Sequence, residues 1–246
     1  MNITFLGTNG WYDTATGNTL SILIETQKEY VVFDAGNGIY KLDKYVTKNK
    51  PVLLFLSHLH LDHIAGLHII DKFNFKQGMK VYYPNGMRRY IASIVRKPFT
   101  APMKRLKTKI EFAELTPGLR LPLKCTYKKL KHPVTCYGYR LEADGQSAAF
   151  CTDTGRCNNM LALSKNADIL ISECSYLPGE VHNHWPHLNP ETAAGIAKEA
   201  HVRRLALVHF DASRYINLSD RKLARKKAQK IFQNTFVPRD GQTITL

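Results

Sequence analysis

A chain of 246 residues suits one large α/β domain or two small ones and can bury a sizeable core. No apolar run reaches about 18 residues, and MNITFLGTNG at the start has neither a basic onset nor a cleavage pattern. These features argue against a membrane span and a secretory leader, and for the cytoplasm. A formal net charge of +15 favours anionic partners such as nucleic acid or phosphorylated metabolites, with a solvated basic face as the plainer alternative. Five scattered cysteines without a CxxC pair argue against a disulfide framework or a thiolate zinc site and read as free thiols.

In chain order, β-rich runs alternate with helical patterns. Ile3–Leu6, Thr19–Glu25 and Tyr30–Phe33 read as strands. FDAGNG (Phe33 to Gly38) reads as a turn and Ile39–Val46 as a helix. Val52–Leu56 has the continuous apolar run of a buried strand, followed by helical Ile64–Phe73, strand Lys80–Tyr83 and helix Met87–Val95. Ile110–Leu115, Cys125–Leu130, Cys136–Glu142 and Ala148–Cys151 are strands, and Asn158–Lys165 is a helix. Strand Asp168–Ser172 precedes helix Pro190–Glu199, which has Pro in its first turn and Asn189 as its cap. Strand Leu205–His209, helix Asp220–Phe232 and strand Thr243–Leu246 end the chain. There is no internal repeat or linker, so residues 1–246 read as one domain. The order predicts two β-sheets packed together with helices outside, a doubly wound sheet being the alternative.

The basic residues are grouped. Arg88 to Lys109 carries eight Lys/Arg and no acid, Lys124, Lys128, Lys129 and Lys131 precede His132, and RKLARKKAQK (Arg221 to Lys230) lies on the last helix. Like charges at i, i+4 in that helix, such as Arg221/Arg225, destabilise it mildly, and a polyanion would relieve them. The plainer reading is a solvated face with Leu223, Ile231 and Phe232 packing inward.

SHLHLDHIAG (Ser57 to Gly66) places histidines and an acid directly after a buried strand. Buried together without compensation they would cost stability, and metal ions resolve the conflict by keeping imidazoles neutral and cancelling carboxylate charge. In an extended turn alternate residues point the same way, so His58 and His60 can share an ion while Asp62 and His63 reach a second. Three further polar residues each follow an apolar run: His132, Asp153 in CTDTG, and His209 after LALV. Asp153, with two carboxylate oxygens, is the natural bridge.

SHLHLDH resembles the HxHxDH motif of the metallo-β-lactamase superfamily. FLGTNG, FDAGNG, KHPVTCYGYRLE, FCTDTG and LVHFDASRY resemble, in order, further segments of its ribonuclease Z branch. The resemblance implies the metallo-β-lactamase fold, a four-layer αββα sandwich of two mixed β-sheets with helices outside. It implies two Zn2+ ions, with Mn2+ or Fe as alternatives at such His/Asp sites. His58, His60 and His132 would hold one ion, Asp62, His63 and His209 the other, with Asp153 bridging and Asp34 supporting. Hydrolysis would use a hydroxide bound between the ions, so Asp62 also counts as catalytic. ISECSYLPGEVHNHWPHLNPETAAGIAKEA (Ile171 to Ala200) resembles the branch's strand ending in Glu followed by a loop His before a small-residue helix. Glu173 would orient His187, and His187 would donate to the phosphate oxygen or leaving group, which favours phosphodiesters. His182 and His184 read as loop histidines, either of which replaces His187 if the alignment slips. Ser213, Arg214 and Tyr215 would contact substrate.

Two departures stand out. Only twenty residues separate His132 from Asp153, too few for the branch's tRNA-gripping arm, and HFDASRY is one residue longer than HFSSRY. The expected activity is therefore a dizinc phosphodiesterase acting on RNA or on small or cyclic nucleotides. The alternatives are a thioester, lactone or other acyl hydrolase on the same fold, and a nucleic-acid-binding protein with a non-catalytic metal site. The resemblance also makes a homodimer an expectation.

Overall fold

A computed structural model describes residues 1–182 and 184–246. The elements are β1 (Asn2–Gly7), β2 (Asn9–Gly10), β3 (Ser21–Glu25), β4 (Tyr30–Phe33), β5 (Val52–Phe55), α1 (Leu61–Ile64), β6 (Met79–Pro84), α2 (Arg88–Ile94), β7 (Ile110–Leu115) and β8 (Cys125–Lys129). There follow β9 (Tyr137–Ala143), β10 (Gln146–Cys151), α3 (Asn158–Ser164), β11 (Ile169–Glu173), α4 (Pro190–Glu199), β12 (Arg204–Val208), β13 (Phe210–Asp211), α5 (Leu218–Gln229), β14 (Thr235–Phe236) and β15 (Gln242–Thr245). One sheet has the order β15-β1-β3-β4-β5-β6-β7 and the other β14-β12-β11-β10-β9-β8. Both are mixed: β4 to β7 run parallel beside the antiparallel β3, and β10, β11, β12 and β14 run parallel beside the antiparallel β9.

Alternation along each strand builds four layers. Phe5, Phe33 and Phe55 point from the first sheet onto Tyr139, Phe150, Ile171 and Val208 of the second. Phe33 and Phe150 stack across this interface with centroids 5.0 Å apart. The alternate residues Val32, Leu54 and Val81 face outward and bury Ile39, Leu42, Ile64 and Leu67. On the other outer face Leu170, Leu205 and Leu207 pack against Met160, Leu163, Ala193, Ala197 and Ala224. Strands covered on both faces must be apolar throughout, which is why VLLF and LALV show no alternation in sequence. This is an αββα sandwich, the architecture that the sequence resemblance implied. Among the described residues no helix is long and apolar enough to cross a membrane.

Residues 37–44 and 65–72 are 3-10 rather than α-helical. Their buried anchors explain this: Ile39 and Leu42, and Leu67 and Ile70, are three apart, a spacing that three residues per turn puts on one face. The short parallel pair β2–β13 was not legible, because its pairs Asn9↔Phe210 and Gly10↔Asp211 carry no apolar pattern. Helix α5 turns a different face inward than its sequence suggested. Arg221, Ala224 and Ala228 are buried, whereas Leu223 and Ile231 are exposed, and of the three residues expected inward Phe232 alone packs partly against the core. Arg221 donates to Thr8 Oγ1 at 3.0 Å, to Thr16 Oγ1 at 2.9 Å and to Asn9 Oδ1, and its guanidinium lies 4.7 Å from the centre of the Phe210 ring. It is an internal clamp on the N-terminal loop, so the expected surface repulsion between Arg221 and Arg225 does not arise.

The clamp predicts a contrast within one helix. Arg221→Ala, which leaves a cavity and several unpaired acceptors, should lower stability by about 2–4 kcal/mol, and Arg225→Ala by less than about 0.5 kcal/mol. Urea unfolding of the two variants measures this, and equal midpoints would refute the clamp.

Candidate metal centre

The carboxyl ends of the parallel strands emerge on one edge of the sandwich, the usual position for a site in such folds. Asp34 follows β4, His58 lies three residues beyond β5, Asp153 two beyond β10, Glu173 ends β11 and His209 follows β12. Three of these are left-handed: φ is 59° at Asp34, 48° at Asp153 and 52° at His209. Non-glycine residues rarely adopt this conformation, and clustering it at one edge marks a place where geometry overrides backbone preference.

His58, His60, His132 and Asp153 form one group and Asp62, His63 and His209 another. Within each group the nitrogen and oxygen atoms lie within 4.8 Å of one another. Asp153 stands between the groups. Its Oδ2 is 3.7 Å from His58 Nε2, and its Oδ1 is 3.2 Å from His63 Nε2 and 3.1 Å from His209 Nε2. All seven residues expected from the sequence are thus brought together.

The outer hydrogen bonds fix which way each ring points. Asp34 Oδ2 is 2.8 Å from His63 Nδ1 and accepts from Ser57 Oγ at 2.8 Å, while Asp34 Oδ1 accepts from Ser57 N at 2.6 Å. Since the Ser57 hydroxyl proton goes to Asp34, Ser57 Oγ accepts from His58 Nδ1 at 3.0 Å. In the same way Ser175 Oγ donates to the His209 carbonyl at 3.1 Å and accepts from His209 Nδ1 at 3.0 Å. The Nδ1 protons of His58, His63 and His209 are therefore all directed outward. Their Nε2 lone pairs converge on carboxylate oxygens, and His63 Nε2 lies 3.1 Å from His209 Nε2. Acceptors facing acceptors require a cation between them. His58 Nε2 and His132 Nδ1 are moreover buried without a hydrogen-bond partner. The donor set, nitrogen and carboxylate oxygen only, fits divalent metal ions.

The electrostatics agree. Burial, aided by the charge of His63, holds His58 well below the usual histidine range, and burial pushes His132 down to about 4, so both are neutral lone-pair donors. Burial pulls His63 and His209 down too, but neighbouring carboxylates, Asp62 and Asp153 chief among them, outweigh it and raise both. Burial raises Asp62 and Asp153, yet the surrounding imidazoles hold both below the carboxylate range. Protons on His63 and His209 thus occupy the positions where metal ions would otherwise balance the carboxylates.

Beside the cluster lies a second constellation. Both Glu173 oxygens are 2.9 Å from His187 Nδ1, and the buried carboxylate also accepts from Thr154 N at 2.5 Å and Leu188 N at 3.1 Å. Burial lowers His187, but the charge and hydrogen bonds of Glu173 outweigh it and bring the pKa up to about 9. The Trp185 indole N–H donates to His187 Nε2 at 2.7 Å, which needs a lone pair there. A doubly protonated ring and this hydrogen bond exclude each other. The half-exposed indole yields more readily than the buried carboxylate, so on protonation the Trp185 contact gives way. Of the other loop histidines, His182 pairs with Glu180 at 2.7 Å and His184 is exposed on the cavity wall.

The cluster opens into a cavity of about 460 Å³ lined by Trp11, Tyr176, Trp185, His187 and Arg214 as well as cluster residues. Of the three expected substrate contacts only Arg214 lines it, and Arg214 is paired with Asp211 at 2.6 Å and Glu180 at 3.1 Å. Tyr215 is fully buried with its hydroxyl donating to the Tyr176 carbonyl, and exposed Ser213 turns its hydroxyl onto Asp211. Sequence reasoning missed Ser57, Ser175 and Trp11. The Trp11 backbone N–H donates to Asp62 Oδ2 at 2.8 Å, and a Cβ on the preceding Gly10 would come within 2.5 Å of the His209 ring. Only Ser57, inside the histidine motif, carried any signal.

A family model described as a beta-lactamase superfamily domain matches residues 29–210. The chain is similar to a ribonuclease Z of Prochlorococcus marinus (strain CCMP1986 / NIES-2087 / MED4), 28% identical with 99% of each chain covered. That alignment spans 312 positions, more than this chain's 246 residues. It is also similar to the probable metallo-hydrolase YhfI of Bacillus subtilis (strain 168), 28% identical over 237 positions with 94% of each covered. Among solved structures, B. subtilis YhfI superimposes with a TM-score of 0.83 at 24% identity, covering 99% of this chain and 98% of that one. The short form of human tRNase Z gives 0.74 at 21% identity, covering 100% and 99%.

Asp34 supports two rings without facing the cavity. Asp34→Ala should therefore weaken Zn2+ binding about 10- to 100-fold, measured by competition with a chromophoric chelator. Unchanged affinity would show that Asp34 does not orient the ligands.

Proposed function

The chain belongs to the β-lactamase superfamily and is a metal-dependent hydrolase, and we propose that its substrates are phosphodiesters. The observation that carries this reading is the buried Glu173 carboxylate holding His187 at the edge of the cavity, beside the His/Asp cluster. A thioester expels a thiolate too weakly basic to need such a second proton carrier, whereas departure of an alkoxide from phosphorus benefits from one. His58, His60 and His132 would hold one metal ion, Asp62, His63 and His209 the other, and Asp153 both, two Zn2+ being our reading of the pair. Bound there, the ions would supply a water of lowered pKa and positive charge for the phosphoryl oxygens.

The protein's own residues do the rest. Glu173 fixes His187 with Nδ1 inward, leaving Nε2 as the face that donates a proton to the leaving oxygen. Thr154 N, next to Asp153, holds the same carboxylate, so the proton carrier and the bridging residue keep a constant relation. Trp185 covers Nε2 and must move aside when substrate enters.

The cavity volume suits about one nucleotide unit rather than a folded RNA. Residues 133–152, where an RNA-gripping arm would sit, are taken up by the approach to β9, the β9–β10 hairpin and a tight Asp144-Gly145 turn with φ of 53° and 73°. The 312-position alignment with the Prochlorococcus ribonuclease Z, against 237 with YhfI, points the same way. In this reading residues 1–246 form one domain that works in the cytoplasm on small or cyclic nucleotide diesters, with short RNA as the larger alternative.

Assays of zinc-loaded protein on bis(4-nitrophenyl) phosphate, cyclic nucleotides, a precursor tRNA and a thioester test this directly. Asp153→Ala should lose metal and turnover together. His187→Ala should keep its metal and lose about 10²- to 10⁴-fold in kcat on phosphodiesters. If His187→Ala cleaves phosphodiesters at the original rate, or if the thioester is the better substrate, the reading is wrong.

A pH profile tests the pair independently. A general acid is lost as pH rises through its pKa, and the Glu173 carboxylate raises that of His187. Glu173→Gln removes the negative charge and should move the alkaline limb of kcat/KM to lower pH. A limb that stays in place would sever Glu173 from the proton transfer.

A further inference from the structure

The chain has two tryptophans, and both stand at the same cavity. Trp11 is 64% and Trp185 48% exposed, an unusual state for the largest apolar side chains. Neither is loosely placed. Trp11 takes the left-handed conformation with φ 70°, its backbone is tied to Asp62 Oδ2, and the segment leading into it is clamped by Arg221 through Thr8 and Asn9. Trp185 lies nearly parallel to the His60 ring, 11° between planes and 6.3 Å between centroids, and edge-on to His132. The cavity therefore has flat apolar walls next to the cluster. Among the described residues its only arginine is neutralised by Glu180 and Asp211, and no lysine lines it. Beyond the phosphodiester group, little charge is left to grip a substrate, and broad aromatic faces are.

We propose that Trp11 and Trp185 are the specificity-determining walls of this site and take up a planar aromatic group, a nucleobase, of a mononucleotide-sized phosphoester. The inference rests on the phosphodiester reading above and deepens it. A base entering beside Trp185 takes the surface that the indole now offers His60 and draws the N–H away from His187 Nε2. Base occupancy thereby frees the proton carrier. Every nucleobase has a π-face, so the walls select for a base without selecting strongly among bases.

The test uses zinc-loaded full-length protein and ligands that it cannot cleave as diesters: AMP, UMP and ribose 5-phosphate. AMP and UMP should bind at least about tenfold more tightly than ribose 5-phosphate. Both nucleotides should quench tryptophan emission, in the parent and in Trp11→Phe and Trp185→Phe, each of which retains one reporter indole. Trp11→Ala and Trp185→Ala should each reduce the ratio of AMP to ribose 5-phosphate affinity about tenfold, and Trp185→Phe, which keeps a ring but not the indole N–H, should preserve it. Equal affinity for AMP and ribose 5-phosphate, or alanine variants that leave the ratio unchanged, overturns the stacking role alone. Failure of the nucleotides and ribose 5-phosphate to bind overturns the phosphoester reading along with it.

Discussion

Asp34 has no exposed surface and accepts hydrogen bonds from three groups: the Ser57 amide, the Ser57 hydroxyl and His63 Nδ1. A buried carboxylate with this many donors is a fixed negative point, and the direction of everything around it follows. Ser57, having given its proton to Asp34, can only accept from His58. His58 and His63 then turn their Nε2 atoms towards Asp153. The central constraint is thus one of proton accounting: each outward N–H is committed, so the centre holds lone pairs and carboxylate charge that only cations can balance.

The sandwich serves this accounting. Parallel strands from two sheets deliver their carboxyl ends to one edge, where short loops carry ligands from residues as far apart in sequence as His58 and His209. The inter-sheet layer of Phe33, Phe55, Tyr139 and Phe150 holds the two sheets in register. A ligand borne by one sheet therefore meets a ligand borne by the other without a flexible segment between them. The Glu173–His187 pair uses the same edge, anchored through Thr154 N to the loop that bears Asp153.

Local chemistry was legible in the sequence and long-range contact was not. SHLHLDH announces itself because its ligands are neighbours in the chain, and His132, Asp153 and His209 could be picked out because each is a polar residue ending an apolar run. Glu173 and His187 needed a family resemblance, since thirteen residues of loop lie between them and no periodicity links them. Arg221 was invisible: it sits among Lys and Arg residues that face water, and only the approach of Thr8, Asn9 and Thr16 makes its side chain internal. Tyr215 failed in the opposite sense, an apparent substrate contact that the packing of Phe210 and Tyr176 places out of reach. Trp11 and Trp185 gave no sign of belonging together, because nothing but closure of the fold brings residue 11 to residue 185.

The left-handed backbone at Asp34, Asp153 and His209 has an evolutionary consequence. An L-residue in that region costs about 1–2 kcal/mol relative to glycine. At each of these positions the fold by itself would be content with glycine, and the side chain that chemistry needs is held against the backbone's preference. Relief of that strain offsets part of what is lost when the side chain's partners go unpaired, so relatives that have abandoned catalysis should accept glycine at these three positions before other changes at the same edge.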